Sequence, residues 1–291
     1  MIGIFNVNKP LHATSHDVVN IMRRLTGVQR IGHTGTLDPL ATGVLVLLVG
    51  PATRLARFLS RAPKSYRAVI RLGGTTATYD AEGEILEHRP VRVNQATLAA
   101  ALDNFRGELA QIPPMYSAIK INGQPLYKLA RRGEELARPA RQVTIHELEL
   151  LVWESPDLTV RVHCSAGTYI RSLAHDLGKA LGCGGHLRSL VRTAVGEFQL
   201  ADSYTLDELS VLAAENRLHE ALLPPQALLT ALPSVELTPQ QIVDVRYGRQ
   251  ITLAAAPAAA QIQAHNSQGE LVALLVPDQE RWRPNLVLKA K

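Results

Sequence analysis

Cysteine is scarce in this chain of 291 residues: Cys164 and Cys183 stand alone, without CxxC spacing. Their number and spacing exclude a disulfide framework and a cysteine-based zinc site, and reduced thiols in a cytoplasmic protein are the expectation. Long apolar runs are missing too. No stretch reaches the roughly 18 uncharged apolar residues of a membrane helix, and Met1 to Pro10 lacks the apolar core of an export signal. The sequence contains no GxxxxGK[ST] loop, no Gly-x-Ser-x-Gly, no His-Glu-x-x-His and no dinucleotide fingerprint. Nucleotide hydrolysis, serine hydrolysis and zinc proteolysis therefore lack their parts.

The most local shortage is of acid. Residues 1 to 71 carry two acidic side chains, Asp17 and Asp38, against ten Lys and Arg. Six of those cations lie from Arg54 to Arg71, around Tyr66, with no acid among them. Basic side chains interleaved with an aromatic suit a phosphate backbone and a stacked base. A solvated helix face followed by a strand explains the charges alone equally well. The net charge of the whole chain is only +5, so the excess is concentrated, as on a directed face for a polyanion.

Within that basic stretch sits an isolated carboxylate. Asp38 lies in Gly32-His33-Thr34-Gly35-Thr36-Leu37-Asp38-Pro39-Leu40-Ala41-Thr42-Gly43-Val44-Leu45. The glycines permit positive φ and close backbone approach, Pro39 stiffens the chain after the acid, and Val44 to Val49 reads as a buried strand. A loop anchored this way presents one side chain to a ligand. A lone acid among cations moves the reading towards an RNA site. Gly32-His33-Thr34-Gly35 also fits the GxxG of KH domains, a short pattern with two free positions that carries little weight.

The hydrophobic fraction of 46% and charged fraction of 20% place the chain among ordinary globular proteins, long enough for one large domain and a small appendage. Strands are predicted over 2–7, 44–49, 66–73, 143–153 and 158–164. Helices are predicted over 16–25, started by Ser15 and ended near Gly27, and over 52–60, 94–105 and 169–181. Helices and strands mix without a βαβ repeat. Lys120 to Arg141 holds six Lys and Arg against Glu134 and Glu135 with little core pattern, and reads as an inserted, partly mobile basic flap. Beyond about residue 200 the chain turns helical and then thins into Pro and Ala. A small β-rich module is expected from about 235 to 291, with strands at 262–265 and 271–276.

Taken in order, the motifs carry a resemblance. GHTGTLDPLATGVL, Lys64-Ser65-Tyr66-Arg67, Tyr79-Asp80-Ala81-Glu82-Gly83, Pro113-Pro114-Met115-Tyr116-Ser117-Ala118, Cys164-Ser165-Ala166-Gly167-Thr168-Tyr169-Ile170-Arg171 and Gly182-Cys183-Gly184-Gly185-His186-Leu187 all contribute. Over roughly residues 3 to 230 the chain resembles bacterial tRNA pseudouridine-55 synthases, the TruB family. The resemblance implies an α+β catalytic domain over 1–234, built on a long mixed, mostly antiparallel sheet with flanking helices. It also implies a basic RNA-gripping insertion at about 120–141 and a small PUA-like RNA-binding module over 235–291.

The implied activity is isomerisation of uridine 55 in the T loop by base flipping and aspartate nucleophilic catalysis. Asp38 falls at the nucleophile, Arg171 at its ion-pair partner and Tyr169 at a second active-site tyrosine. Tyr66 is implied to stack on the target base, His33 to enter the T loop, Leu190 to line the uracil pocket and Asp80 to belong to an acidic turn near the site. Lys9 is implied to support the catalytic loop, and Arg131, Arg132, Lys128 and Lys64 to meet the RNA backbone. No cofactor and no metal are expected. The expected partner is tRNA through its T arm, with no membrane, no obligatory protein partner and a monomeric chain. The Ala/Pro run at 254–260 is atypical of the C-terminal module, and Val195-Gly196-Glu197 lacks an arginine expected before the glycine. A tRNA-folding chaperone, with or without isomerase activity, is the alternative reading. A guide-RNA-dependent synthase is disfavoured, because the flap suits a chain that grips its own substrate.

Overall fold

A computed structural model describes residues 1–117, 119–121, 123–130, 132–134, 136–255 and 257–288. In chain order the first part gives β1 (Gly3–Lys9), α1 (Ser15–Thr26), β2 (Ile31–His33), β3 (Ala41–Val49), a 3-10 segment over Gly50–Leu55, α2 (Ala56–Ser60), β4 (Lys64–Leu72), β5 (Gly74–Thr76) and β6 (Ile85–His88). The middle gives α3 (Gln95–Asp103), β7 (Gly107–Gln111), β8 (Lys120–Ile121), β9 (Gln124–Pro125), α4 (Leu126–Ala130), β10 (Arg141–Glu154), β11 (Asp157–Cys164), α5 (Ile170–Ala180), β12 (Gly185–Val195) and β13 (Phe198–Gln199). The last part gives α6 (Leu206–Ala214), β14 (Ser234–Glu236), α7 (Pro239–Arg246), β15 (Ile262–His265), β16 (Leu271–Asp278) and β17 (Arg281–Val287).

One large mixed sheet runs in the order β1-β3-β12-β4-β11-β10-β7, with β2 added beside β3 and β13 beside β12. Among the described residues every pairing in it is antiparallel except β3 with β12, where Leu190 faces Ala41 and Arg192 faces Gly43. The α+β class and the mostly antiparallel sheet expected from the resemblance are both present. β3 reads Ala-Thr-Gly-Val-Leu-Val-Leu-Leu-Val and is buried on both faces, as its continuous apolar run demands. β4 alternates instead: Lys64, Tyr66, Ala68, Ile70 and Leu72 point inward, while Arg67 lies on the other face, exposed. The basic run from 54 to 71 is thus split by the strand period of two, which puts Arg67 and Arg71 on the face opposite Tyr66.

α1 covers one side of the sheet with Val18, Val19 and Met22. Its N-cap is Thr14, in a reciprocal box with Asp17, and its C-cap is Gly27 at φ 68°. Ser15, expected to start the helix, sits one position inside and is buried. The helix expected over 52–60 begins as the 3-10 segment with Pro51 in its first turn, and becomes α-helical only from Ala56. In the basic flap Leu126 and Leu129 of α4 are buried, which supplies apolar anchors where little core pattern was expected.

A second, four-stranded sheet runs β14-β15-β16-β17, with α7 packed on it around Leu237, Val245, Ile262, Val272, Leu275 and Trp282. Leu55, Leu229, Leu271, Leu274, Leu286 and Leu288 join this module to the part built on the large sheet, and Arg54 donates to Val287 O at 2.6 Å across the join. The described part of the Ala/Pro run is loop between α7 and β15. Among the described residues no helix is long and apolar enough to cross a membrane.

Candidate active site

A cleft of about 780 Å³ opens across the large sheet. Its walls are the loop between β2 and β3, the cleft-facing residues of β4 and β12, the start of α5 and the turn around Asp80. Asp38, Arg171, Tyr169, Tyr66, His33, Leu190, Asp80 and Lys64 all line it.

The loop that carries Asp38 is fixed from three sides. Below it, the Ser15 hydroxyl accepts from Leu37 N at 2.9 Å and donates to Leu37 O at 3.1 Å. After Pro39, Ala41 N donates to Asp38 O at 3.0 Å and closes a turn. Beside it, Arg192 donates through Nε to Val44 O at 2.7 Å and through Nη2 to Gly35 O at 2.9 Å. Arg192 also stands opposite Tyr66 in the β4–β12 register, and its guanidinium and the phenol interact electrostatically. Gly43 makes this arrangement possible: its φ is 101°, and a Cβ there would lie 2.2 Å from Arg192 O.

Arg171 is the second residue of α5 and closes the opposite side. Its Nε lies 2.9 Å from Asp38 Oδ2, and its Nη2 donates to Asp38 Oδ1 at 3.1 Å. Nη1 lies 3.4 Å from Asp80 Oδ2 and donates to Thr78 O at 3.2 Å. Nη2 also donates to Tyr116 O at 2.7 Å. The Arg171 side chain is 5% exposed and that of Asp38 38%, so the cation is sealed in the wall while the acid reaches the open cleft. Burial pushes the Asp38 carboxyl above its usual value, Arg171 pulls it back, and Asp80 adds to the rise. The result is an ionisable acid held at two oxygens by a planar guanidinium, a geometry that aims it as well as charging it.

Asp80 is buried, and its Oδ1 accepts from the Thr78 hydroxyl and, at 3.1 Å, from Glu82 N. The preceding Tyr79 has φ 65°, and its ring stacks on His175 of α5 with centroids 3.9 Å apart. Tyr66 and Leu190 are almost fully buried against the cleft floor, and burial pushes the Tyr66 phenol up. Tyr169 is the N-cap residue of α5, half-buried, with its phenol also pushed up by burial. His33 ends β2 half-buried; burial, then Arg192 and His16, push its imidazole down, which keeps it neutral at neutral pH.

Two lysines are internal. Lys9 is fully buried and donates to Pro10 O at 2.8 Å and Ala13 O at 2.6 Å. Burial lowers it to about 8, against the pull of Asp38. Lys64 donates to Ser60 O at 3.1 Å and Ala62 O at 2.6 Å, and burial lowers it too to about 8. Its ammonium is thus held by two carbonyls in the wall of the cleft. The strand period puts it on the same face as Tyr66. Lys128 and Arg132 are exposed and lie outside the cleft; Arg132 pairs with Glu134 at 3.1 Å. Arg131 lies outside the described residues.

Among the described residues no group of three His, Cys, Asp or Glu is placed to hold a metal ion. Sequence reasoning did not single out Arg192 or Ser15 for the loop. The available signal was the period of two in Leu190-Val191-Arg192, which puts Arg192 on the cleft face with Leu190.

Residues 23–170 match the family described as "TruB family pseudouridylate synthase (N terminal domain)". Residues 171–230 match the "tRNA pseudouridylate synthase B C-terminal domain". The chain is 44% identical over 286 residues to a tRNA pseudouridine synthase B of Dehalococcoides mccartyi (strain CBDB1), covering 98% of this chain and 95% of that protein. It is 43% identical over 290 residues to the protein of the same name from Ectopseudomonas mendocina (strain ymp), covering 98% and 95%. Among solved structures, a chain of an H/ACA RNP bound to a substrate RNA containing 2'-deoxyuridine aligns with a TM-score of 0.73 at 25% identity, over 99% of this chain and 85% of that one. A chain of a Cbf5-Nop10-Gar1 complex aligns at 0.71 and 27% identity, over 99% and 84%.

Proposed function

This chain belongs to the TruB family of tRNA pseudouridine synthases, isomerases that make pseudouridine in tRNA, and we propose that it acts at uridine 55 of the T loop with Asp38 as nucleophile. The observation that carries this reading is the Asp38–Arg171 pair, with its acid open to a cleft floored by Tyr66 and Leu190.

Uridine and pseudouridine contain the same atoms. The C1′–N1 bond breaks, a C1′–C5 bond forms, the proton lost from C5 is balanced by one gained at N1, and no oxidant or reductant is consumed. Asp38 forms a covalent bond to the reacting nucleoside and is released when the new carbon–carbon bond is complete. Arg171 keeps it anionic in a wall where burial favours the neutral acid. Asp80 holds Arg171 from behind.

The target base must leave the T loop to reach Asp38. Extrusion costs a few kcal/mol, and stacking on Tyr66 returns about 1–3 kcal/mol. Leu190 completes an apolar pocket, and neutral His33 takes up the space left in the loop. Tyr169 faces the base from the α5 side. Lys128, Arg132 and Arg131 of the flap meet the phosphates, with Lys64 shaping the wall beneath Tyr66. The C-terminal module, read as PUA-like, extends the RNA surface. The chain works as a cytoplasmic monomer on the T arm, without a guide RNA or a protein partner.

The test is to incubate unmodified tRNA transcripts with the protein and map pseudouridine by mass spectrometry of nuclease fragments. A single site at position 55, lost when that uridine is replaced by cytidine, is the expected result. Modification elsewhere in the tRNA would overturn the assignment.

A further inference from the structure

Gln111, the last residue of β7, is 4% exposed and spends both ends of its amide on one residue. Tyr169 N donates to Gln111 Oε1 at 2.7 Å, and Gln111 Nε2 donates to Tyr169 O at 3.0 Å. A side chain thus pairs with the residue before α5 as a neighbouring strand would. α5 has no side-chain cap of its own at Tyr169, so this amide fixes the backbone from which Tyr169 and Arg171 project.

The next residues extend the contact. Ser172 donates to Ile112 O at 2.9 Å, and Arg171 Nη2 donates to Tyr116 O at 2.7 Å. Pro113 and Pro114, both buried, restrict the chain between those two points. Beyond them, Tyr127 N donates to Ser117 O at 3.0 Å and Leu126 N to Ile119 O at 2.8 Å. α4, the helix of the basic flap, is therefore hung on the same strip of chain that holds the first turn of α5. The adjacent residues Tyr116 and Ser117 thus carry the contact to the guanidinium facing Asp38 on one side and the contact to the flap on the other.

We propose that Gln111 is a positioning residue that couples engagement of RNA by the flap to the chemical step. The proposal rests on the reading of Asp38–Arg171 as the reacting centre and of the flap as an RNA grip. When phosphates hold Lys128 and Arg132, α4 holds Ser117 and Ile119 in place through their carbonyls. The Tyr116 carbonyl and the Gln111 amide then keep Arg171 on both oxygens of Asp38. A flap without RNA leaves the strip less constrained, and the guanidinium loses part of its aim.

The experiment measures single-turnover pseudouridine formation on a saturating T-arm hairpin, together with hairpin affinity and melting temperature. Gln111→Leu is expected to slow the rate about tenfold, the worth of roughly one net hydrogen bond, with affinity unchanged. Gln111→Glu, which keeps an acceptor for Tyr169 N but turns an oxygen instead of a donor towards Tyr169 O, is expected to recover only part of that loss. Neutralising the flap with Lys128→Ala and Arg132→Ala should lower both the saturated rate and the affinity in the otherwise unaltered chain, but the affinity alone in the Gln111→Leu background. Rate losses that simply multiply would overturn the coupling, and unaltered rates in both Gln111 variants would overturn the positioning role. If Gln111→Leu does not fold, Gln111→Asn, too short to reach Tyr169, carries the same comparison. An active Asp38→Asn protein measured in parallel would overturn the underlying reading of the site, so the two failures are distinguishable.

Discussion

Two buried arginines flank the Asp38 loop in opposite kinds of surroundings. Arg171, on the α5 wall, faces the carboxylates of Asp38 and Asp80. Arg192, on the β12 wall, faces the carbonyls of Val44 and Gly35 and the phenol of Tyr66. Burying a guanidinium costs several kcal/mol. Arg171 offsets this with two anions, whereas Arg192 donates to neutral carbonyls, and burial pushes it below the usual arginine value. A guanidinium beside a carboxylate decides the charge of that carboxylate. One that gathers carbonyls decides where the chain runs. The α5 wall therefore sets the reactivity of Asp38, and the β12 wall sets its position.

The largest break in this comparison comes from Arg171→Lys, which keeps a positive charge but cannot grip both oxygens of Asp38. We expect the single-turnover rate to fall by about two to three orders of magnitude, with hairpin affinity close to that of the parent and a loss of stability from the Thr78 and Tyr116 carbonyls far too small to account for the fall in rate. Arg192→Met should do the reverse. It strands the carbonyls of Val44 and Gly35, each at a cost of about 1–3 kcal/mol, and chemical denaturation should show that loss, with the rate falling only as the loop loses its place. Full stability with a collapsed rate for Arg192→Met would erase the distinction between the walls.

A smaller effect sharpens the same contrast. Because burial raises the Asp38 carboxyl above its usual value, activity is expected above that raised value and lost as pH falls through it, at a pH higher than for an exposed acid. Arg171→Lys should move the midpoint of the rate–pH curve upward, whereas Arg192→Met, further from the carboxylate, should move it less. The smallest effect concerns Lys9, lowered to about 8 in the folded chain from 10.5. Between those values the unfolded chain binds more protons, so this group makes stability rise with pH across that window. The stability difference between the parent and Lys9→Met should change by that increment between pH 8 and about 10.5 and stay level below it.

Local features were the legible ones. The glycine-punctuated loop around Asp38, the apolar run of β3 and the helical spacing of α1 each declare themselves within a dozen residues. The motifs carried Arg171, Tyr66, Tyr169, Asp80, His33 and Leu190 to one cleft, which spacing alone would not have done. Three things stayed hidden because they depend on partners far along the chain or on which way a side chain turns. Arg192 meets Val44 148 positions away; the strand period marks the face it lies on but not that partner. Lys64 reads as one more cation in a basic run until the period of β4 turns it inward beside Tyr66. Gln111 sits at the end of an inconspicuous strand and acquires its place only through Tyr169, 58 positions on. The start of α1 was missed by one residue, because Thr14 and Ser15 are both good caps and only the reciprocal contact with Asp17 decides between them.

The most direct test of the account is tritium release from 5-tritiated uridine in an unmodified T-arm hairpin, comparing the parent chain with Asp38→Asn at matched concentration and without added cofactor. Release by the parent, with none by a variant that folds and binds the hairpin equally well, is the predicted result. Equal release by Asp38→Asn would contradict the assignment of Asp38 as nucleophile, and tight binding without release by either protein would leave an RNA-folding role as the better description of this cleft.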